Sequence, residues 1–393
     1  PGYDPRRYAH THPFLSPNNY RRTRQICALL LALGLLAGGL GTPRPARAQA
    51  PDDPPCRYDY TAPYHDISFM CVEVVLDHLA APEAVPVQAG LAFDSDGTLY
   101  LARPASGAIW SVRDADGDRF MDDPQIVAEG LNLPIALTVH DDSLYVLTAD
   151  QVLRLDRAPD AAWDAPVVLI DDLPVSTGFW PGSLAVGPDA RLYLSLGAAC
   201  NACVQTDERL GALLSYDLDG SDEQIVARGF RTPADFAWNP ESGALWIADS
   251  GRVTPPDSDF QPRDELNHVV PGAHYGFPHC YGVALPDNSL PAPDETFCES
   301  TVTPRLSFPY QSNPTGLTFY EGAAFPRWQG DLIIVLNGSW NLPAPAGYAV
   351  LINGFEQGQP DGYDADVAKL LAEDLGVGHV ATNASPTRAG VGK

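Results

Sequence analysis

Residues 183–195, with the sequence SLAVGPDARLYLS, combine two short runs of alternating apolar residues with an intervening Gly-Pro-Asp turn. Alternation with a period of two is typical of a half-buried β-strand, and Gly, Pro and Asp favour a tight turn between two strands. The same pattern recurs at residues 90–102 (GLAFDSDGTLYLA), 136–148 (ALTVHDDSLYVLT), 235–249 (DFAWNPESGALWIAD) and, more loosely, 316–336 (GLTFYEGAAFPRWQGDLIIVL). These five stretches predict five β-hairpins.

The spacing of the hairpins indicates a repeat architecture. The Leu that opens each second strand falls at Leu99, Leu144, Leu192, Leu245 and Leu332, so that the first four are separated by 45, 48 and 53 residues. Such intervals suit one four-stranded blade of a β-propeller each. The last interval, of 87 residues, contains a long Pro-rich insertion. We therefore predict an all-β fold of the six-bladed β-propeller type, with five blades visible and the last blade truncated.

The first 50 residues have the pattern of an export signal. The basic stretch Arg21–Arg24 precedes an apolar run from Ile26 to Leu40, and Ala48-Gln49-Ala50 follows as a small-residue cleavage site. These are the three regions of a secretory signal peptide, and the apolar run is too short for a convincing membrane span. We expect an exported protein, periplasmic or secreted, whose mature chain has no membrane span.

The predicted domain layout has three parts: a leader with the signal peptide (1–50), one β-propeller domain (51–376) and an unstructured or aberrant tail (377–393). Residues 67–79 (ISFMCVEVVLDHL) are a candidate strand for completing the last blade. Such a strand matters because an open propeller leaves exposed strand edges.

The charge of the chain is strongly acidic. The whole sequence has 24 Lys and Arg against 50 Asp and Glu, and seven of the Arg but only one of the Asp lie in the first 50 residues. The remainder therefore carries 17 basic and 49 acidic residues, a net charge of about −32. Such a surface repels nucleic acid and favours neutral or cationic ligands and metal ions, although solubility alone explains it equally well.

Six cysteines remain once Cys27 of the leader is set aside. An even number in an exported chain favours disulfides. Pairing by proximity gives Cys56–Cys71, Cys200–Cys203 and Cys280–Cys298. The spacing of Cys200 and Cys203 also occurs in haem attachment sites, but Val204 stands where that motif has His. A structural disulfide is the favoured interpretation of Cys200 and Cys203.

Several ordered motifs resemble one family. They are SLAVGPDARLYLSLGAACNACVQ at 183–205, IVARGFRTPADFAWNPESGALWIADSG at 225–251, RDELNHVVPGAHYGFPHCYG at 263–282, and a later stretch with PTGLTFYEGAAFP and GDLIIVLNGSWN. Together they resemble the soluble glucose/sorbosone dehydrogenase family over roughly residues 65–365. The resemblance implies a six-bladed propeller that uses pyrroloquinoline quinone (PQQ) and calcium, and it includes enzymes of the L-sorbosone dehydrogenase type.

The resemblance also locates the catalytic base. In the family, a His before the Gly-Pro-Asp turn accepts the proton of the sugar hydroxyl, and here that position is Phe179. Phe cannot accept a proton, so a base must come from elsewhere. His274 is a possible substitute, although an ordinary structural role is the alternative. We expect impaired activity.

The cofactor contacts implied by the resemblance are preserved only in part. The family's Arg-Asn pair that contacts the quinone is Arg231-Thr232 here. Arg offers a fixed fork of donors for a quinone carboxylate, whereas Thr replaces the amide. The family's HGSWNR motif has become residues 337–342 (NGSWNL), and a last-blade Arg motif is absent. The resemblance thus implies PQQ as the cofactor, with fewer contacts than the family provides.

The calcium motif is better preserved. Asp264-Glu265 and Tyr275 match the family's acidic motif and the turn after it, where calcium is bound by carboxylates and loop carbonyls. The alternative is that both acids are solvated or paired with Arg263. A second oxygen cluster, Asp114, Asp116 and Asp118, is either a weak loop calcium site or an acidic turn.

Three functions are compatible with these residues. The first is an exported quinoprotein-type dehydrogenase that oxidises a hydroxyl or aldehyde of a small neutral sugar or polyol (an aldose or sorbosone). The second is a catalytically silent propeller that binds a carbohydrate or a protein. The third is a calcium-dependent lactonase, for which acidic residues around a central ion suffice. The sequence identifies neither the substrate nor the electron acceptor.

Overall fold

Five four-stranded antiparallel sheets follow one another along the chain in the computed structural model. The structure describes residues 90–117, 121–158, 162–175, 182–254, 258, 260–290, 292–323, 325–339, 342–344, 346–347, 349–356 and 359–363. Their regular elements are strands and two 3-10 turns, Cys298–Ser300 and Pro326–Trp328. The predicted all-β propeller is therefore confirmed, with five blades in the described residues.

The first three blades are each formed by four consecutive strands. Blade 1 contains β1 (Leu91–Phe93), β2 (Leu99–Arg103), β3 (Ala108–Val112) and β4 (Gln125–Ala128). Blade 2 contains β5 (Ala136–His140), β6 (Ser143–Leu147), β7 (Val152–Asp156) and β8 (Val167–Ile170). Blade 3 contains β9 (Leu184–Val186), β10 (Arg191–Leu196), β11 (Ala212–Asp217) and β12 (Gln224–Arg228).

Blade 4 carries the predicted insertion between its third and fourth strands. Its four strands are β13 (Pro233–Trp238), β14 (Leu245–Asp249), β15 (Asp264–His268) and β18 (Leu306–Phe308). The inserted hairpin between β15 and β18 consists of β16 (Cys280–Tyr281) and β17 (Leu285–Pro286). Blade 5 contains β19 (Pro314–Phe319), β20 (Leu332–Leu336), β21 (Ala349–Glu356) and β22 (Gln359–Tyr363).

Each of the five predicted hairpins forms the first two strands of one blade. The turn of blade 1 shows how the sequence directs it. The Asp94 carboxylate accepts hydrogen bonds from the backbone N–H groups of Asp96 (3.0 Å) and Thr98 (2.9 Å). Gly97 takes a positive φ of 80°, which glycine adopts without strain. Asp and Gly are thus required by the turn geometry itself.

The core lies between consecutive blades. On β6, Leu144 and Val146 pack against blade 1, whereas Tyr145 and Leu147 pack against blade 3. The same alternation joins blade 3 to blade 4 and blade 4 to blade 5. Because both faces of the inner strands are buried, strands such as residues 144–147 are apolar at every position.

The outer face of blade 1, which is turned away from blade 2, is exposed and apolar. Leu91, Phe93 and Ile126 have exposed fractions of 61%, 56% and 62%. The predicted sixth blade is not present in the described residues. The leader, residues 67–79 and the tail 377–393 lie outside the described residues. So does the pair Cys56–Cys71.

Two of the predicted disulfides are confirmed, Cys200–Cys203 and Cys280–Cys298. The second ties the inserted hairpin of blade 4 to the 3-10 turn that begins at Cys298. In the part of the chain that the structure describes, no helix is long and apolar enough to cross a membrane.

Candidate functional site

The loops that join blades 3, 4 and the inserted hairpin line an open cleft. Its lining combines three arginines, three acids and several aromatic rings. The residues are Gly229, Arg231, Asp249, Gly251, Arg252, Phe260, Pro262, Arg263, Glu265, Tyr275, Phe277, Pro278, Cys280, Tyr281 and Asp287. The cleft therefore brings together the predicted cofactor-binding Arg231 and two of the predicted calcium residues.

Arg231 and Thr232 lie directly before β13, where a buried acid holds their backbone. Asp249 accepts hydrogen bonds from the backbone N–H of Arg231 (3.1 Å) and of Thr232 (2.7 Å). Arg231 is only 4% exposed, and its Nη1 donates to the Thr232 hydroxyl (3.1 Å) and to the Ser250 carbonyl (3.2 Å). Burial lowers the pKa of Arg231 to about 10. It stays charged at neutral pH.

Asp249 was not identified from the sequence. It ends β14 and lies opposite Glu265 of β15, so both carboxylates line the cleft side by side. Burial raises the pKa of Asp249 to about 6, although the backbone N–H donors of Arg231 and Thr232 oppose the shift. The available signal was an acid at the end of a fully apolar strand, since a charged group there has to be held by buried partners.

Asp264 and Glu265 point in different directions because consecutive strand residues alternate between the faces of a sheet. The Asp264 carboxylate accepts the backbone N–H of Gly251 (2.8 Å) and of Asn313 (2.6 Å), and thereby joins the cleft loop to blade 5. Glu265 faces the cleft and accepts the backbone N–H of Gly282 (2.8 Å) in the inserted hairpin. Only Glu265 of this pair lines the cleft.

Both carboxylates are buried, and this changes their acidity. Burial raises the pKa of Asp264 to about 7 and that of Glu265 to about 8. The charge of Asp249 raises the pKa of Glu265 further, and backbone N–H donors oppose both shifts. Near neutral pH, each carboxylate is thus poised between its charged and neutral forms.

Tyr275 and His274 belong to the turn that supports the cleft. The Tyr275 hydroxyl donates to the His268 carbonyl (2.6 Å) and accepts from Val270 N–H (2.8 Å), and its ring stacks on Phe230. His274 Nδ1 accepts the backbone N–H of Gly276 (3.0 Å), and burial lowers its pKa to about 4. His274 does not line the cleft. Its contacts are those of a residue that stabilises the turn.

The inserted hairpin supplies the aromatic wall of the cleft, which sequence reasoning did not foresee. Tyr281 packs edge-on against Phe260, with ring centroids 4.8 Å apart. Arg252 forms a salt bridge with Asp287 and donates to Ser289 Oγ (2.6 Å). These contacts join residues far apart in sequence, so no local pattern signals them.

The remaining predicted site residues lie elsewhere. Phe179 and Asp118 lie outside the described residues. Asp114 and Asp116 are in a loop of blade 1, where Asp114 accepts the backbone N–H of Gly117 (2.8 Å) as in an ordinary turn. Across the described ranges, no group of three or more His, Cys, Asp or Glu is arranged to hold a metal ion. Calcium therefore stays a prediction.

Comparison with known proteins agrees with the sequence motifs. Residues 147–337, from the end of β6 to just after β20, match the Glucose / Sorbosone dehydrogenase family. The match includes Arg231, Asp249, Asp264 and Glu265. The family predicted from the motifs is confirmed for this region.

Two named relatives are sugar dehydrogenases. The aldose sugar dehydrogenase YliI of Escherichia coli is 30% identical over 118 residues, which cover 29% of this chain and 29% of the relative. Quinoprotein glucose dehydrogenase B of Acinetobacter calcoaceticus is 25% identical over 267 residues, which cover 53% of this chain and 52% of the relative. The chain thus spans about half or less of the length of these relatives.

A solved structure has the same fold. The holo form of the PQQ domain of pyranose dehydrogenase from Coprinopsis cinerea superposes with a TM-score of 0.58 at 17% identity, covering 72% of this chain and 80% of that chain. At this identity the likeness concerns the fold alone. It agrees with the propeller described above.

Proposed function

We propose that this chain, whose residues 147–337 match the glucose/sorbosone dehydrogenase family, is an exported PQQ-dependent sugar dehydrogenase with impaired turnover. Its substrate is the hydroxyl or aldehyde of a small neutral sugar or polyol. The observation that carries the proposal is the placement of Arg231 in a cleft inside the matched region. A site argument is needed because a propeller fold by itself hosts many functions.

The lining of the cleft offers contacts to a planar cofactor that carries carboxylates. Arg231 and Arg263 carry positive charge in the lining, where Arg252 is paired with Asp287, and Phe260 and Tyr281 offer flat apolar surface. When bound, PQQ would supply a quinone able to accept a hydride from the sugar. Arg231 would hold a cofactor carboxylate, and the rings would exclude water from its face.

Calcium fits this cleft less completely. Asp249 and Glu265 both face the cleft, whereas Asp264 is engaged by backbone N–H groups on the other side of β15. Two carboxylates are fewer than the six to eight oxygen ligands that calcium requires. If calcium binds, Asp249 and Glu265 would hold it, and loop carbonyls or water would have to supply the other ligands. No catalytic role is assigned to the ion.

Proton transfer limits the reaction. The family position for the base holds Phe179, which has no proton acceptor. His274 uses Nδ1 to accept a backbone N–H and does not line the cleft, so it is poorly placed to replace the missing base. A positioned base contributes about 10²–10⁴ in rate, so turnover is expected to be low by that factor.

The test is an oxidation assay on the purified chain with added PQQ, calcium, a panel of aldoses and polyols, and an electron-accepting dye. Turnover by the unaltered chain should be barely above background. Phe179→His should raise kcat, and Phe179→Leu, the matched control, should leave it unchanged. Absence of PQQ-dependent oxidation in all three variants, at PQQ concentrations that saturate binding, would contradict the proposal.

A second candidate function is a sugar-binding propeller without catalysis. It is favoured by Phe179 and by the internal hydrogen bonds that already engage Asp249, Asp264 and Glu265. Calorimetric titration with sugars in the absence of PQQ distinguishes the two. Sugar binding that is indifferent to PQQ and never followed by oxidation supports the second function.

A further inference from the structure

The bridged turn Cys200–Cys203 of blade 3 lies against Arg231, and Asn201 inside it contacts two parts of blade 4. Asn201 Oδ1 accepts from Arg231 Nε (3.1 Å) and from the backbone N–H of Val253 (3.0 Å). Its Nδ2 donates to the Val253 carbonyl (2.7 Å). One amide therefore connects the arginine with the loop that carries Gly251 and Arg252 into the cleft.

The turn is restrained on both sides. The disulfide joins residues only three apart, which removes most conformations open to a free turn. Gln205 closes the other side, because its Oε1 accepts Ala199 N–H (2.8 Å) and its Nε2 donates to the Cys203 carbonyl (2.7 Å). Asn201 is thereby held in place without belonging to a strand.

The orientation of Arg231 depends on contacts at different ends of its guanidinium. Nη1 is engaged by Thr232 and the Ser250 carbonyl, and Nε by Asn201. A guanidinium is planar, so contacts at both Nε and Nη1 fix its orientation. Asn201 supplies the contact from outside blade 4.

We infer that Asn201, held by the Cys200–Cys203 bridge, is a positioning residue that orients Arg231 and the loop around Val253 toward the ligand of the cleft. The inference rests on the proposed function for the identity of that ligand, PQQ. The contact itself is a property of the folded chain, so it can be tested without the cofactor.

The cofactor-free test is chemical modification of arginine by phenylglyoxal, with the Arg231 peptide followed by mass spectrometry. Arg231 is 4% exposed and should react slowly in the unaltered chain. Asn201→Ala and the double variant Cys200→Ser with Cys203→Ser should raise the rate about tenfold, the factor expected for loss of a hydrogen bond to a charged donor. Asn201→Asp keeps the acceptor oxygen for Arg231 but loses the Nδ2 donor to the Val253 carbonyl, so its rate should lie between those of the unaltered chain and Asn201→Ala.

The control is Asn132→Ala, which removes a comparable exposed contact between Asn132 Nδ2 and Asp150 (3.0 Å) in blade 2 and should leave the Arg231 rate unchanged. Equal Arg231 rates in Asn201→Ala and the unaltered chain overturn the inference. So does an Arg231 rate in Asn201→Asp that is raised about tenfold or more, even if Asn201→Ala folds poorly.

Equilibrium dialysis with PQQ gives the second readout. Asn201→Ala should weaken PQQ binding about tenfold, and Asn201→Asp should weaken it less. Undiminished affinity in Asn201→Ala overturns the link to the cofactor. If the unaltered chain binds no PQQ, the proposed function fails, and the modification rates still decide whether Asn201 positions Arg231.

Discussion

Replacing Asp264 by Ala should destabilise the fold by about 2–4 kcal/mol, and the loss should be the same with calcium and with a chelator. Asp264 is 2% exposed, and its two oxygens accept the backbone N–H groups of Gly251 (2.8 Å) and Asn313 (2.6 Å). Each buried N–H left without an acceptor costs about 1–3 kcal/mol. The expected loss of stability lies in the lower part of the range for two such N–H groups, because burial of the ionised carboxylate is itself unfavourable.

The assay is urea unfolding followed by tryptophan fluorescence, since Trp246 is fully buried between blades 4 and 5. The matched control is Asp219→Ala, because Asp219 also accepts a backbone N–H, that of Ser221 (3.0 Å), but in an exposed turn. The control should change stability by less than about 1 kcal/mol. A destabilisation by Asp264→Ala that appears only with calcium would show that Asp264 is a metal ligand and would refute the reasoning.

Two further predictions concern the same region. Gly229→Ala should destabilise the fold by at least about 1–2 kcal/mol more than Gly243→Ala. Both glycines have positive φ, but the new Cβ at 229 would lie 2.3 Å from His274 Nδ1, whereas the new Cβ at 243 meets no atom within 4 Å. Equal losses of stability in urea unfolding would contradict this prediction. In chelator, the free energy of unfolding should increase as the pH falls from about 8 to 6.5, by up to about 1 kcal/mol per pH unit for each group. Burial raises the folded-state pKa of Asp264 to about 7 and of Glu265 to about 8, so the folded state binds more protons than the unfolded state in this window. A stability that rises with pH over that window, measured by urea unfolding at each pH, is the contrary result.

The blades could be predicted from the sequence because strand alternation and turn chemistry are local. Residues 183–195 contain both strands and the turn between them, and the structure forms that hairpin as β9 and β10. The family motif also predicted that Arg231 belongs to the site, and Arg231 lines the cleft. Both predictions depend on patterns that a short stretch of chain carries by itself.

The partners within the site could not be predicted in the same way. Asn201 and Val253 are 52 residues apart, and Arg231 and Asp249 are 18 apart, so their contacts arise only when neighbouring blades and strands pack. The separation of Asp264 from the cleft was foreseeable in principle. Two adjacent residues on one strand face opposite sides of the sheet, so Asp264 and Glu265 cannot both face the cleft.

The most direct test of the central claim is a PQQ titration of the purified chain in calcium, by equilibrium dialysis, with Arg231→Ala alongside. The matched control is Arg209→Ala, because Arg209 forms surface salt bridges with Asp172 and Asp207 and does not line the cleft. The cleft described here predicts one saturable site per chain, weakened at least about tenfold by Arg231→Ala and unchanged by Arg209→Ala. No saturable binding, or the same affinity in Arg231→Ala as in the unaltered chain, would contradict it.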